Sequence, residues 1–206
     1  MSPPRYPSIQ RAGAVLTLGL AAWTAGVSAV APRDVQTARV EPATVADEAA
    51  IAEFMKRVEA YVALHRQFES TLPKAPEDAT PQQIDQAQRA LLAALQAARA
   101  EARQGDLFTP AMTALVKRLM VEMFTGPGGQ RLRASMMDEN VKELPLKVNQ
   151  RFPDEIPLAT MPPRLLKVLP ELPEQMEFRF VASQFVLLDT HAHLVVDFIP
   201  AALPGR

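Results

Sequence analysis

The sequence predicts an α+β domain: an N-terminal bundle of about four helices packed against a small C-terminal antiparallel β-meander. Three observations carry this. Between residues 47 and 140 the apolar side chains recur at three- and four-residue steps, the period of a helix. After Pro173 the pattern changes to alternation or to short continuous apolar runs, the patterns of strands. Between the two lies a segment broken by Pro145, Pro153, Pro157, Pro162, Pro163, Pro170 and Pro173.

Taken in order, residues 1–31 have the form of a signal peptide. Arg5 and Arg11 are the only charges before Arg33, and Ala12 to Ala25 is apolar or small throughout. Val27-Ser28-Ala29 supplies the small-residue cleavage pattern, with Ala29-Val30-Ala31 as the alternative. The apolar run is short for a membrane span, which leaves an uncleaved anchor as the second possibility. Export to the periplasm or the exterior follows, with no integral span after cleavage. Residues 32–46, with Pro32 and Pro42 and no periodicity, read as a disordered linker. The helical region is expected over 47–143, and the proline-rich segment and meander over 144–206.

Asp47 is the expected cap of a first helix ending near Ser70. Its stripe is Ile51, Phe54, Met55, Val58, Tyr61, Val62, His65 and Phe68. Thr80-Pro81-Gln82-Gln83 opens a second helix in capping-box form, running to about Gln104 with Gly105 at its end. Thr109-Pro110 repeats the signal for a third, which Gly126-Pro127-Gly128-Gly129 stops. A fourth spans about Gly129 to Asn140. Leu144, Leu146 and Val148 suit an extended edge. Pro163 to Leu169 suits a short helix with Leu165, Leu166 and Leu169 inward.

Met176, Phe178 and Phe180 alternate with Glu177, Arg179 and Val181 in the first strand. Phe185 to Leu188 is a fully apolar central strand. In the third, Leu194, Val196 and Phe198 are expected to face the helices, opposite Val195, Asp197 and Ile199, and Pro200 ends it.

Composition excludes several chemistries. There is no cysteine, hence no disulfide, thiol or lipid-anchored cysteine. The 22 basic residues against 23 acidic ones, two of the basic ones within the leader, argue against a nucleic-acid partner. There is no G-x-S-x-G and no H-E-x-x-H, and the glycine-rich turn lacks the Lys-Ser/Thr ending of a phosphate loop. Met112, Met120, Met123, Met136 and Met137 would suit Cu(I), but they fall where core residues belong. No catalytic residue and no cofactor are expected, and the protein reads as a non-enzyme.

One polar cluster stands out: Asp189, His191, His193 and Asp197. In an extended segment, an H-x-H pair puts both rings on one face, and two imidazoles with carboxylates suit Zn, Ni or Cu. A turn between Asp189 and His193 would break that alternation. Asp197 lies too far along its strand to share an ion with His193. A dedicated site needs three or four ligands, so the sequence predicts no tight metal site. His65, on an apolar stripe, reads as a packed core residue that would need helix packing to bring it to the hairpin tip.

Over residues 145–200, LPELPEQMEFRF, FVLLD and LVVDFIP resemble the C-terminal part of small exported bacterial proteins of unknown function. More loosely, the hairpin is similar to that of periplasmic nickel/cobalt-homeostasis proteins. The resemblance implies an envelope location and supplies no catalytic residue. The leading expectation is a non-enzymatic binding or interaction module with an unidentified protein or envelope partner. The alternative is a periplasmic metal-binding protein using His191 and His193.

Overall fold

The computed structural model describes residues 44–73, 76, 78–125, 128–138, 145–154 and 161–204, with backbone alone at 135–138 and 164. The expected signal peptide and most of the expected linker lie outside them. Helices come first and strands last: α1 Val45–Thr71, α2 Pro81–Ala98, α3 Pro110–Thr125, α4 Gly129–Asp138, a single turn α5 Pro163–Leu166, then β1 Met176–Val181, β2 Gln184–Asp189 and β3 Leu194–Ile199. The strands form one antiparallel sheet in the order β1-β2-β3, and the α+β architecture is as the sequence predicts. Among the described residues no helix is long and apolar enough to cross a membrane.

Thr44, not Asp47, caps α1. Its hydroxyl accepts the Asp47 N–H, and the Asp47 carboxylate accepts the Thr44 N–H in return. Each bond satisfies an N–H that the first helical turn leaves unpaired. The helix therefore begins inside the stretch expected as linker. Asp47 also pairs with Arg118 of α3 at 2.6 Å, and the pair holds its carboxyl down at about 2.

α2 starts at the predicted box but stops at Ala98, short of Gln104. The cause is tertiary. The Asn149 side-chain amide donates to the Gln96 and Arg99 carbonyls at 3.0 and 3.1 Å, capping the helix from the proline-broken segment. Beyond it the backbone turns through Gly105, whose φ of 92° is open to glycine. The turn wraps around Asp197, whose carboxylate accepts N–H groups from Gly105, Leu107 and Phe108.

That arrangement corrects the reading of β3. Leu187 pairs with Asp197 and Leu188 with Val195, so Val196 is an extra residue in a bulge. The bulge reverses the alternation beyond it. Leu194, Val196 and Ile199 join the core under the helices, whereas Phe198 packs with Val195 on the opposite face. Asp197, directly across from Leu187, is thereby carried to the helix side. Burial pushes its carboxyl above the ordinary value, with the surrounding N–H groups opposing this.

The main core is aromatic at its centre. Phe54 of α1 lies 5.3 Å from Phe108 and 6.1 Å from Phe178 of β1, and Phe178 stacks on Phe185 of β2 at 5.1 Å. Met112 and Met120 are buried core residues in the same cluster. Leu146 and Phe152 cover the opposite face of the sheet over Val186, Leu188, Val195 and Phe198. They do so as a laid-over segment joined to β3 by an Arg151–Leu194 bridge. Leu144, expected beside them, lies outside the described residues. Leu165 and Leu169 point inward as expected, but Leu166 is exposed because a four-residue helix buries only one side.

Candidate functional site

His65 and Glu69 are four residues apart near the end of α1, a spacing that stacks two side chains on one helix face. That face meets the β2–β3 turn, residues 190–193, so groups more than a hundred positions apart converge.

Asp189 ends β2 and is wholly buried. Its Oδ2 accepts the Tyr61 hydroxyl at 2.5 Å and faces His65 Nδ1 at 2.6 Å, while Oδ1 accepts the Ala192 N–H at 2.8 Å. An ionised carboxylate only accepts hydrogen bonds, so the proton of His65 sits on Nδ1. In its neutral form the ring then presents the lone pair of Nε2 to the other side. Nε2 is also buried and makes no hydrogen bond among the described residues. It points toward Glu69 Oε2, 3.5 Å away. The other oxygen of Glu69 lies 3.0 Å from Nδ1 of His191. The His65 and His191 rings are 5.5 Å apart.

The electrostatics follow from burial among acids. Burial pulls the His65 pKa down, but Asp189 and Glu69 outweigh it and hold the ring above the ordinary histidine value. Burial and the Asp189 charge push Tyr61 well up, so it stays a neutral donor. The Arg99 guanidinium lies 5.0 Å above the Tyr61 ring and donates to the Val196 carbonyl, fixing the tyrosine from behind.

The cluster opens on a cleft of about 520 Å³ between α1 and α2. Arg66, Glu69, Glu174 and His191 supply its polar edge, and Leu91 and the exposed Ile84 an apolar wall.

The residues singled out in the sequence are thus redistributed. His191 reaches the cluster. His193 does not: its left-handed backbone, φ 54°, breaks the strand alternation and turns the ring to the other side of the hairpin. There its Nδ1 lies 2.9 Å from Asp154 and its ring meets the Phe152 edge. Asp189 stands behind His65, its oxygens occupied, and Asp197 is bound up in the turn before α3. Helix packing does bring His65 to the hairpin tip, beside His191. His65, Glu69 and His191 each offer one donor atom, all within 4.8 Å of one another, and are the groups among the described residues able to share an ion. The H-x-x-x-E spacing of His65 and Glu69 was a signal in the sequence; nothing local linked it to His191.

The protein matches no protein-family model, no curated protein and no solved structure.

Proposed function

We propose that this protein is an exported bacterial envelope protein that acts as a binding module, with its ligand taken in the cleft between α1 and α2 at the β2–β3 turn. The observation that carries the reading is a cleft with an apolar wall whose polar edge includes Glu69 and His191, the two groups that cluster with the buried His65. Binding sites have this construction: apolar walls supply affinity, and a few placed polar groups fix orientation. Arg5, Arg11 and the apolar run after them support export.

Protein recovered from its native host tests both parts. Mass spectrometry under denaturing conditions should find an N-terminus near Val30 or Pro32; a full-length cytoplasmic product refutes export. Native mass spectrometry of the same sample should find a non-covalent adduct, depleted in an Ile84→Glu variant that puts a charge in the cleft wall. A bare polypeptide mass under gentle desolvation refutes the binding reading.

A further inference from the structure

We propose that the site holds a divalent late transition ion of the zinc type, with His65 Nε2, Glu69 and His191 Nδ1 as protein ligands and a further position open to the cleft. The inference rests on the binding reading above and names its ligand.

The geometry is close to that of an ion site. Two donors about 2.1 Å from a shared tetrahedral ion are about 3.4 Å apart. His65 Nε2 lies 3.5 Å from one Glu69 oxygen and His191 Nδ1 3.0 Å from the other, and one donor atom from each of the three residues lies within 4.8 Å of the other two. Two imidazoles and one carboxylate form a donor set that suits zinc, nickel and copper rather than calcium or magnesium, which prefer all-oxygen sites.

The surroundings of His65 supply the second, independent argument. A ligating histidine characteristically gives its other ring N–H to a carboxylate, which fixes tautomer and orientation and raises ligand basicity. Asp189 does this for His65 at Nδ1, and is itself held by the Tyr61 hydroxyl and the Ala192 N–H. The Asp189 bond thus fixes the tautomer in which, once the ring is neutral, Nε2 is the nitrogen free to ligate. A histidine serving only to fill the core would need no such aim toward Glu69 and His191. Tyr61 and Asp189 are positioning residues: they touch His65, not the ion. His65 is wholly buried, whereas the side chains of Glu69 and His191 are 41% exposed. The ion would enter from the cleft side and finish against the buried ring.

The test uses tag-free protein, stripped with chelator and titrated calorimetrically with Zn²⁺, Ni²⁺ and Cu²⁺. One ion per polypeptide with a Kd on the order of 1 µM or tighter is expected. Glu69→Gln and His191→Gln lie at the surface and should leave the fold intact by circular dichroism. Each should weaken binding by more than about the 100-fold that marks the upper range for loss of an orienting partner. Tyr61→Phe keeps the ring and removes the hydroxyl; a loss of about 10–100-fold is expected. The Co²⁺-loaded protein should show visible d–d bands that shift in Tyr61→Phe, a readout that mere destabilisation would not move. His193→Gln should bind as the parent does. Absence of stoichiometric binding, or binding retained in the Glu69→Gln/His191→Gln double variant, overturns the inference. If the native protein nevertheless carries an adduct lost in Ile84→Glu, the cleft binds something other than a metal and the broader reading stands. If neither is seen, both fall.

Discussion

Replacing Asp197 by alanine should be among the most damaging single changes in this protein. The carboxylate accepts the Leu107 and Phe108 N–H groups at 2.8 Å each and the Gly105 N–H at 3.0 Å, in the turn that leads into α3. Alanine leaves at least the first two donors buried without an acceptor. An orphaned buried donor costs about 1–3 kcal/mol, so the variant should lose about 2–6 kcal/mol. Asn keeps one acceptor oxygen but loses the charge, and its NH₂ confronts the N–H groups; its loss should fall below that of alanine. Urea unfolding followed by circular dichroism measures both. With a slope of about 2 kcal/mol per molar, the alanine midpoint should drop by about 1–3 M. A loss under about 1 kcal/mol would refute the claim that the bulge in β3 and the turn before α3 are locked through this carboxylate.

Phe178→Ala empties a position enclosed by Phe54, Phe108 and Phe185, and should cost about 3–5 kcal/mol in the same assay; under about 1 kcal/mol would mean the sheet does not pack on the helices as described. The Asp47 carboxyl is held below its ordinary 3.8, at about 2, by Arg118 and the Thr44 N–H. A lowered folded pKa stabilises above the unfolded value and ceases to as pH falls through the folded one. The stability advantage of the parent over Asp47→Asn should therefore be full at pH 5 and vanish toward pH 2, and an advantage independent of pH would rule this out.

Local patterns explain why so much of the architecture is readable. Thr80-Pro81 and Thr109-Pro110 start helices because the hydroxyl and the fixed proline φ act within four residues of each other. Met176, Phe178 and Phe180 face the core because the strand period of two needs no outside information. The start of α1 differs from the expectation by a few residues only. Thr44 and Asp47 are reciprocal partners in one box, and either residue type can stand as a cap.

The site obeys a different logic. His65 can be placed on the buried stripe of α1, and Glu69 four residues on, from the helix period alone. Whether those residues meet a turn some 120 positions later depends on how α1 crosses the sheet, a matter of side-chain packing that no local signal encodes. The H-x-H pair promises a shared face, but that holds only while the backbone stays extended, and the left-handed conformation of His193 ends it. The same applies to Phe198 and Asp197, exchanged between the two sides of the sheet by one extra residue in β3. Periodicities and caps that span a few residues were enough to specify the order and type of the elements and most of their buried faces. Contacts between distant segments decided the rest: Asn149 where α2 stops, the Asp197 turn which way the end of β3 faces, and the crossing of α1 over the β2–β3 turn which histidine joins His65.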